Sequence, residues 1–228
     1  MKVKILGWDS HFFNKKIGEI EINDEIYFSS DIHKFDLLYI KQKNNNCLKL
    51  KNFKENYSET KVVFSKNISK SNNPLNRFVF SAFNTVVNKE QIYKLAFESG
   101  NFSRFRLDSN FKQHEFEALY ITWVDNSFSK ELADDILIYK KQNSILGFVT
   151  YKVIDDYAKV GLIGVCNDHQ GKGIGTALLL EVENKLCTNH LKELRIPTQL
   201  QNKLACKFYT KLGYHIIEKT IIKNYWKL

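Results

Sequence analysis

Cysteine is sparse and unpaired in this chain. Cys47, Cys166, Cys187 and Cys206 show no CxxC and no regular spacing, which excludes a disulfide framework and leaves no ligand set for a structural metal. Long apolar runs are missing too: no segment approaches the roughly 18 apolar residues of a membrane span. The opening stretch MKVKILGWDSHFF has no extended apolar core behind its lysines, so a cytoplasmic protein without a signal peptide is expected. Arginine is rare, four residues against 30 lysines within a net charge of +9. The lysines are scattered, with LKLKNFK (48–54) the one dense group. No zinc-finger spacing or RNA-binding aromatic motif accompanies them, so a solvated lysine-rich surface is expected, with neither nucleic acid nor membrane as partner.

What remains is a folded chain, 43% hydrophobic and 14% aromatic over 228 residues. Proline occurs only twice, and one copy sits in KNISKSNNPLN (66–76), where Asn and Ser also gather. That stretch marks an expected boundary between a small N-terminal α/β domain (1–75) and a larger domain (76–228). In the first part, FDLLYI and TKVVFS read as strands. In the second, RFVFSAFNTVV reads as a strand and NKEQIYKLAFESG as a helix capped by Asn88 and stopped by Gly100. A helix over QHEFEALYITWVDNSF follows, then three short strands through DDILIYKKQNSILGFVTYKVIDDYAKVGLIGVC. A helix over about 173–188, the strand ELRIPTQL, the helix NKLACKFYTKL and a final pair of strands in IIEKTIIKNYWKL complete the order. The class is α/β, with a mixed, mostly antiparallel central sheet flanked by helices.

The stretch VCNDHQGKGIGTALL (165–179) carries the chemistry. Gly171, Gly173 and Gly175 alternate directly ahead of an apolar helix. A P-loop requires Gly-Lys-Ser/Thr, but Lys172 is followed by Gly173. A dinucleotide fingerprint requires GxGxxG, and Thr176 stands where its last glycine belongs. Small residues whose backbone N–H groups converge at a helix N-terminus do fit a pyrophosphate.

QGKGIG resembles the Q/R-x-x-G-x-G/A signature of the GNAT superfamily of N-acetyltransferases. The strand AKVGLIGV before it and the helix TALLLEVENKL after it resemble that family's central motif, and the likeness covers about residues 77–228. The resemblance implies the GNAT fold and acetyl-CoA as co-substrate. It implies that the backbone of Gln170, Gly171, Lys172, Gly173, Ile174, Gly175 and Thr176 grips the pyrophosphate. It further implies that Ile163, Gly164 and Val165 lie on a splayed strand that pairs with the pantetheine arm, the Val165 N–H serving as oxyanion donor. The family commonly dimerises, so a homodimer belongs to the same expectation.

QLQNKLACKFYTKLGY resembles the family's next motif, in which an Asn opens a helix and a Tyr follows. Asn202 is thereby a CoA contact. Tyr209, seven residues on and on the same helix face, is the general acid for the departing thiolate. Leu204, Ala205, Phe208 and Leu212 are expected to form the buried stripe, leaving Tyr209 toward the cofactor side.

Arg104 and Arg106, two of the four arginines, lie within three residues in SRFR and suit bidentate phosphate recognition. An ion pair with Asp108 or Glu115 is the competing reading. SRFR, GWDSHFF and LRIPTQLQNKLACKFY resemble the dTDP-fucosamine acetyltransferase group, which implies a nucleotide-linked amino sugar as acceptor. Acetylation of a protein N-terminus, a lysine or a polyamine, and a non-catalytic acetyl-CoA-binding module, remain the alternatives. Among Glu115, Glu117, His114 and His169 no general base stands out.

Overall fold

The computed structural model describes residues 3–22, 30–69 and 76–228. In chain order these form β1 (Lys4–Ile5), α1 (Gly7–Phe12), β2 (Ile17–Ile22), β3 (Leu37–Gln42), β4 (Phe53–Asn67), β5 (Val79–Ser81), α2 (Lys89–Ser99), α3 (Arg104–Leu107) and α4 (Gln113–Phe128). They continue with β6 (Asp135–Lys141), β7 (Ser144–Ile154), β8 (Tyr157–Val165), α5 (Ile174–Thr188), β9 (Glu193–Gln199), α6 (Lys203–Lys211) and β10 (His215–Lys227). The strands form one open sheet in the order β1-β2-β3-β10-β4-β9-β8-β7-β6-β5. It is mixed, with parallel pairing at β2–β3 and β8–β9 and antiparallel pairing elsewhere. The expected α/β class with flanking helices holds.

Local signals set the helix limits. Asn88 accepts the Glu90 N–H at 3.0 Å, and the Gly100 N–H closes α2 on Ala96 O. Helix α4 covers the expected segment, with Glu115 accepting the Lys112 N–H at 2.7 Å. Strand limits depart further from expectation. RFVFSAFNTVV yields only the three residues of β5 before a 3-10 turn at Ala82–Asn84. The final pair of strands is instead one 13-residue strand, β10, whose irregularities at Ile216/Glu218 and Asn224/Tyr225 are absorbed as register shifts.

The expected boundary falls partly on residues 70–75, outside the described residues. On either side of it the strands interleave: β10 pairs with β3 and with β4, and β4 pairs with β9. Helices α2 and α4 cover one sheet face, where Tyr39, Ile92, Phe116, Leu119, Ile138 and Phe148 are buried together. Helices α5 and α6 cover the other, around Phe64, Val149, Leu178, Val182, Ile196 and Tyr209. No described helix is long and apolar enough to cross a membrane.

Candidate active site

The site begins as a break in the sheet. Strand β8 pairs with β9 only at Ala158↔Leu194 and Lys159↔Arg195, although both strands continue beyond that point. Between Tyr151↔Val160 and Val149↔Ile163 the β7–β8 register shifts, so Gly161 and Leu162 together oppose Thr150. This is a β-bulge, which bends a strand and raises its twist. The Thr150 hydroxyl accepts the Leu162 N–H at 2.9 Å. A Cβ on residue 161 would stand 2.8 Å from that same oxygen, so the bulge needs glycine there. Past the bulge, the Cys166 N–H donates to Leu146 O at 2.9 Å. By strand alternation Gly164 also faces β7, while Ile163 and Val165 turn their N–H and C=O groups into the gap beside β9. Gly164 therefore does not share the gap with its neighbours. Its bare Cα instead admits α2, because a Cβ would lie 2.6 Å from Leu95 O.

Gly171 (φ +74°) and Gly173 (φ +80°) are left-handed, and a Cβ at either would meet nothing within 4 Å. Backbone conformation, not crowding, requires glycine at both. Gly175 has a different reason: its Cβ would lie 3.0 Å from the Phe208 ring, so it lets α5 approach α6. The Ala177 N–H donates to Gly173 O at 2.9 Å. The N–H groups of Ile174, Gly175 and Thr176 precede that bond and lack intrahelical acceptors. The Gln170 amide donates to Asn167 Oδ1 at 3.0 Å and Val165 O at 3.3 Å. Lys172 Nζ donates to Asp168 O at 2.9 Å. These two side chains brace the loop.

Asn202 caps α6, its Oδ1 accepting the Ala205 N–H at 3.1 Å. Tyr209 is only 4% exposed and lies between Phe208 (5.3 Å), Phe64 (5.4 Å) and Tyr214 (6.3 Å). Burial pushes its phenol well above the ordinary value, with Cys206 adding to the shift, so the hydroxyl stays protonated at neutral pH. The expected stripe is corrected at two places, since Tyr209, expected to stand outside it toward the cofactor, is part of it. Leu204 is 74% exposed, and the apolar face runs through Ala205, Phe208, Tyr209 and Leu212, the i, i+3, i+4, i+7 set of one helix side.

On the α2–α4 face, Arg104 approaches Glu59 of β4 at 3.6 Å. Its guanidinium lies over the rings of Tyr39 (4.5 Å) and Phe105 (4.7 Å). Glu59 is 3% exposed and Tyr39 is 1% exposed. Desolvation raises the Glu59 pKa above its usual range, against the opposing pull of Arg104. Desolvation likewise raises Tyr57 and Tyr120 to about 12. Glu59 Oε2, Arg104 Nε and the Tyr39 hydroxyl are buried without hydrogen-bond partners, which is uncommon for grouped polar atoms. By register, Lys61 sits opposite Gln199, so Glu59 lies level with the open end of the β8–β9 gap.

The acetyltransferase (GNAT) family model matches residues 91–214, more than half of the chain. The chain belongs to the acetyltransferase (GNAT) family. It is 32% identical over 108 residues to streptothricin acetyltransferase A of Bacillus subtilis (strain 168), covering 47% of this chain and 58% of that one. It is 24% identical over 107 residues to spermidine N(1)-acetyltransferase of Thermoplasma acidophilum, covering 42% and 66%. A GNAT-family structure from Novosphingobium aromaticivorans superposes with a TM-score of 0.54 at 9% identity, covering 85% of this chain and 75% of that one. The chain spans about half the length of several curated relatives it matches.

Within this GNAT sheet the two SRFR arginines part company. Residues i and i+2 of a helix do not share a face, and Arg106 is exposed, donating to Gln113 and lying 5.2 Å from the Phe116 ring. Arg104 alone reaches the Glu59 cluster. The ion-pair partners weighed for them have other tasks. Asp108 accepts from Asn56, Asn224 Nδ2 (2.6 Å) and Trp226 Nε1 (2.8 Å). Glu115 pairs with Lys15 at 2.7 Å. Among the base candidates, Glu117 accepts from Gln113 on the exposed side of α4, and His169 is in the loop's 3-10 turn. Glu59 escaped the sequence reading. Its one signal was a lone carboxylate inside SETKVVFS, where the alternate positions become apolar.

Proposed function

We propose that this chain is an acetyl-CoA-dependent N-acetyltransferase acting on a small primary amine. The observation that carries the reading is the β8–β9 gap opening after Lys159–Arg195 beside a helix start whose glycines are left-handed and uncrowded. That arrangement fits a thread-like pantetheine and its pyrophosphate. The backbone N–H groups of Gly171 to Thr176 hold the pyrophosphate, and the Ile163 N–H and C=O groups hold the arm. Acetyl-CoA supplies the activated acetyl thioester. The Val165 N–H stabilises charge arriving on the thioester oxygen. Glu59, held by Arg104, takes the proton of the attacking ammonium, burial having raised its basicity above that of an ordinary carboxylate. As the N–C bond forms and the C–S bond breaks, Tyr209 donates its proton to the departing sulfur, and the second proton shed by the amide nitrogen restores the phenol through water. The low-dielectric pocket that raises the phenol's pKa raises the basicity of that sulfur as well.

For the acceptor we propose a nucleotide-linked amino sugar, supported by the GWDSHFF and SRFR likenesses. Arg104 is occupied by Glu59, so this acceptor's phosphates need other cations. The relatives named for streptothricin and spermidine support the second reading, a polyamine-like acceptor. Release of free thiol from acetyl-CoA tests the proposal, measured with dTDP-linked 4-amino sugars, spermidine, a streptothricin and a lysine peptide. Thiol release with the sugar nucleotides alone supports the first acceptor, release with spermidine or the streptothricin supports the second, and no release with any amine rejects the activity.

A further inference from the structure

Strands β4 and β8 flank β9, and each sends one lysine to the face that carries Glu59 and Arg104. Val62 and Phe64 of β4, and Ala158 and Val160 of β8, belong to the core on the α5 side. Alternation then turns Lys61 and Lys159 to the opposite face. Lys61 stands opposite Gln199, Val63 opposite Pro197, and Lys159 opposite Arg195. Pro197 is therefore the rung midway between the two lysines, and the exposed, side-chain-free Gly161 lies beyond it on β8.

Charge on this floor is unbalanced. Lys15, Lys41, Lys66, Lys89, Lys185 and Lys223 each pair with a carboxylate, but neither Lys61 nor Lys159 forms an ion pair among the described residues. Arg195, on the same face, is taken by Glu193 at 2.7 and 2.9 Å. Lys152, across from Lys159, turns away to Glu131 O. Lys61 is half-buried, and Lys159 is the strongest single charge acting on it. Burial and that neighbour hold its pKa below the ordinary lysine value, with Glu218 opposing them. Glu218, opposite Val63 on β10, offsets part of the charge on Lys61, and an anion above Pro197 would relieve the remaining repulsion from Lys159.

We propose that Lys61 and Lys159 form an anion subsite over Pro197 and Gly161, which binds a phosphate or carboxylate carried by the acceptor. The inference rests on the acetyl-transfer reading for the placement of the acceptor amine at Glu59. Pro197 stands opposite Val63, four residues along β4 from Glu59, a rise of about 13 Å. The acceptor is thus an amine that carries an anionic group on the order of 13 Å from its nitrogen, which excludes spermidine by charge and simple amino acids by length.

Inorganic pyrophosphate titrated into ¹⁵N-labelled protein is the probe, with separate readouts at the two anion-binding places. The expected result is saturable shifts of the Gly161 and Thr198 amides. These should weaken about tenfold or more in the Lys61→Gln/Lys159→Gln protein, while shifts at Gly171 and Gly173 persist and report an intact fold. Lys159→Gln alone, a change at the strand surface, should show an intermediate loss. Still Gly161 and Thr198 amides in the parent, or equal shifts in the double variant, would overturn the subsite. A CoA titration reads the other proposal independently. If CoA fails to move Gly171 and Gly173 while pyrophosphate moves Gly161, the acetyl-transfer reading falls and the anion subsite stands.

Discussion

The Leu162 N–H donates to the Thr150 hydroxyl at 2.9 Å, a side-chain acceptor standing where an ordinary ladder would offer a carbonyl. That bond closes the bulge on one side and leaves the far side of β8 open to a ligand. Replacing Thr150 with Val keeps the shape and orphans the Leu162 N–H. The expected cost is about 1–3 kcal/mol in denaturant unfolding. The Michaelis constant for acetyl-CoA should rise as the gap loses its fixed width. A variant with parent-like stability and parent-like acetyl-CoA affinity would show that the bulge does not depend on this bond.

Tyr209→Phe separates chemistry from packing. The ring keeps its contacts with Phe64 and Phe208, so the melting temperature should shift little. Turnover should fall about 10²–10⁴-fold, the usual contribution of a general acid. A change in turnover within about twofold would remove Tyr209 from the chemistry, since it lies far below that range.

Glu59 carries a pH prediction. Its pKa lies above the usual 4.5 because burial outweighs Arg104, so the basic form appears only as pH rises through that raised value. The rate kcat/KM for acceptor should therefore climb with pH on an acidic limb displaced above the ordinary carboxylate range. Glu59→Gln should abolish that limb and lower kcat by about 10²-fold or more. An unchanged limb in the Gln enzyme would assign it to the substrate amine instead.

The two arginines should behave unequally. Arg104→Ala leaves the buried Glu59 carboxyl without its partner, and a loss on the order of 3 kcal/mol in unfolding free energy is expected. Arg106→Ala removes an exposed side chain and should change stability by less than about 0.5 kcal/mol, with the acceptor Michaelis constant unmoved. Parallel losses of acceptor affinity in both variants, at full stability, would restore the phosphate-clamp reading of SRFR.

The helices were legible because their punctuation is local: Asn88 and Asn202 cap α2 and α6 with their own side chains, and Gly173 opens α5 in the left-handed conformation. The gap was legible only through resemblance, since its cause couples residues far apart. Thr150 and Gly161 sit on different strands, and nothing in either neighbourhood announces that a hydroxyl will replace a carbonyl. The Glu59 cluster was hidden for the same reason. Tyr39, Glu59 and Arg104 come from three separate segments and meet only because β10 slots between β3 and β4. Arg104 and Arg106 misled through proximity in sequence, because a single helical turn sends neighbours two apart to opposite sides.

The interleaving of β3, β10 and β4 also sets the order of events during synthesis. Strands β3 and β4 leave the ribosome early, yet their shared neighbour comprises residues 215–227. Until that segment emerges, each waits with an unpaired edge, and Arg104 has no finished floor to lie on. The sheet therefore closes from its two ends of the chain at once, a long-range pairing of the kind that slows folding. An N-terminal part and a GNAT part that look separable in sequence acquire their site together, once β10 has been made.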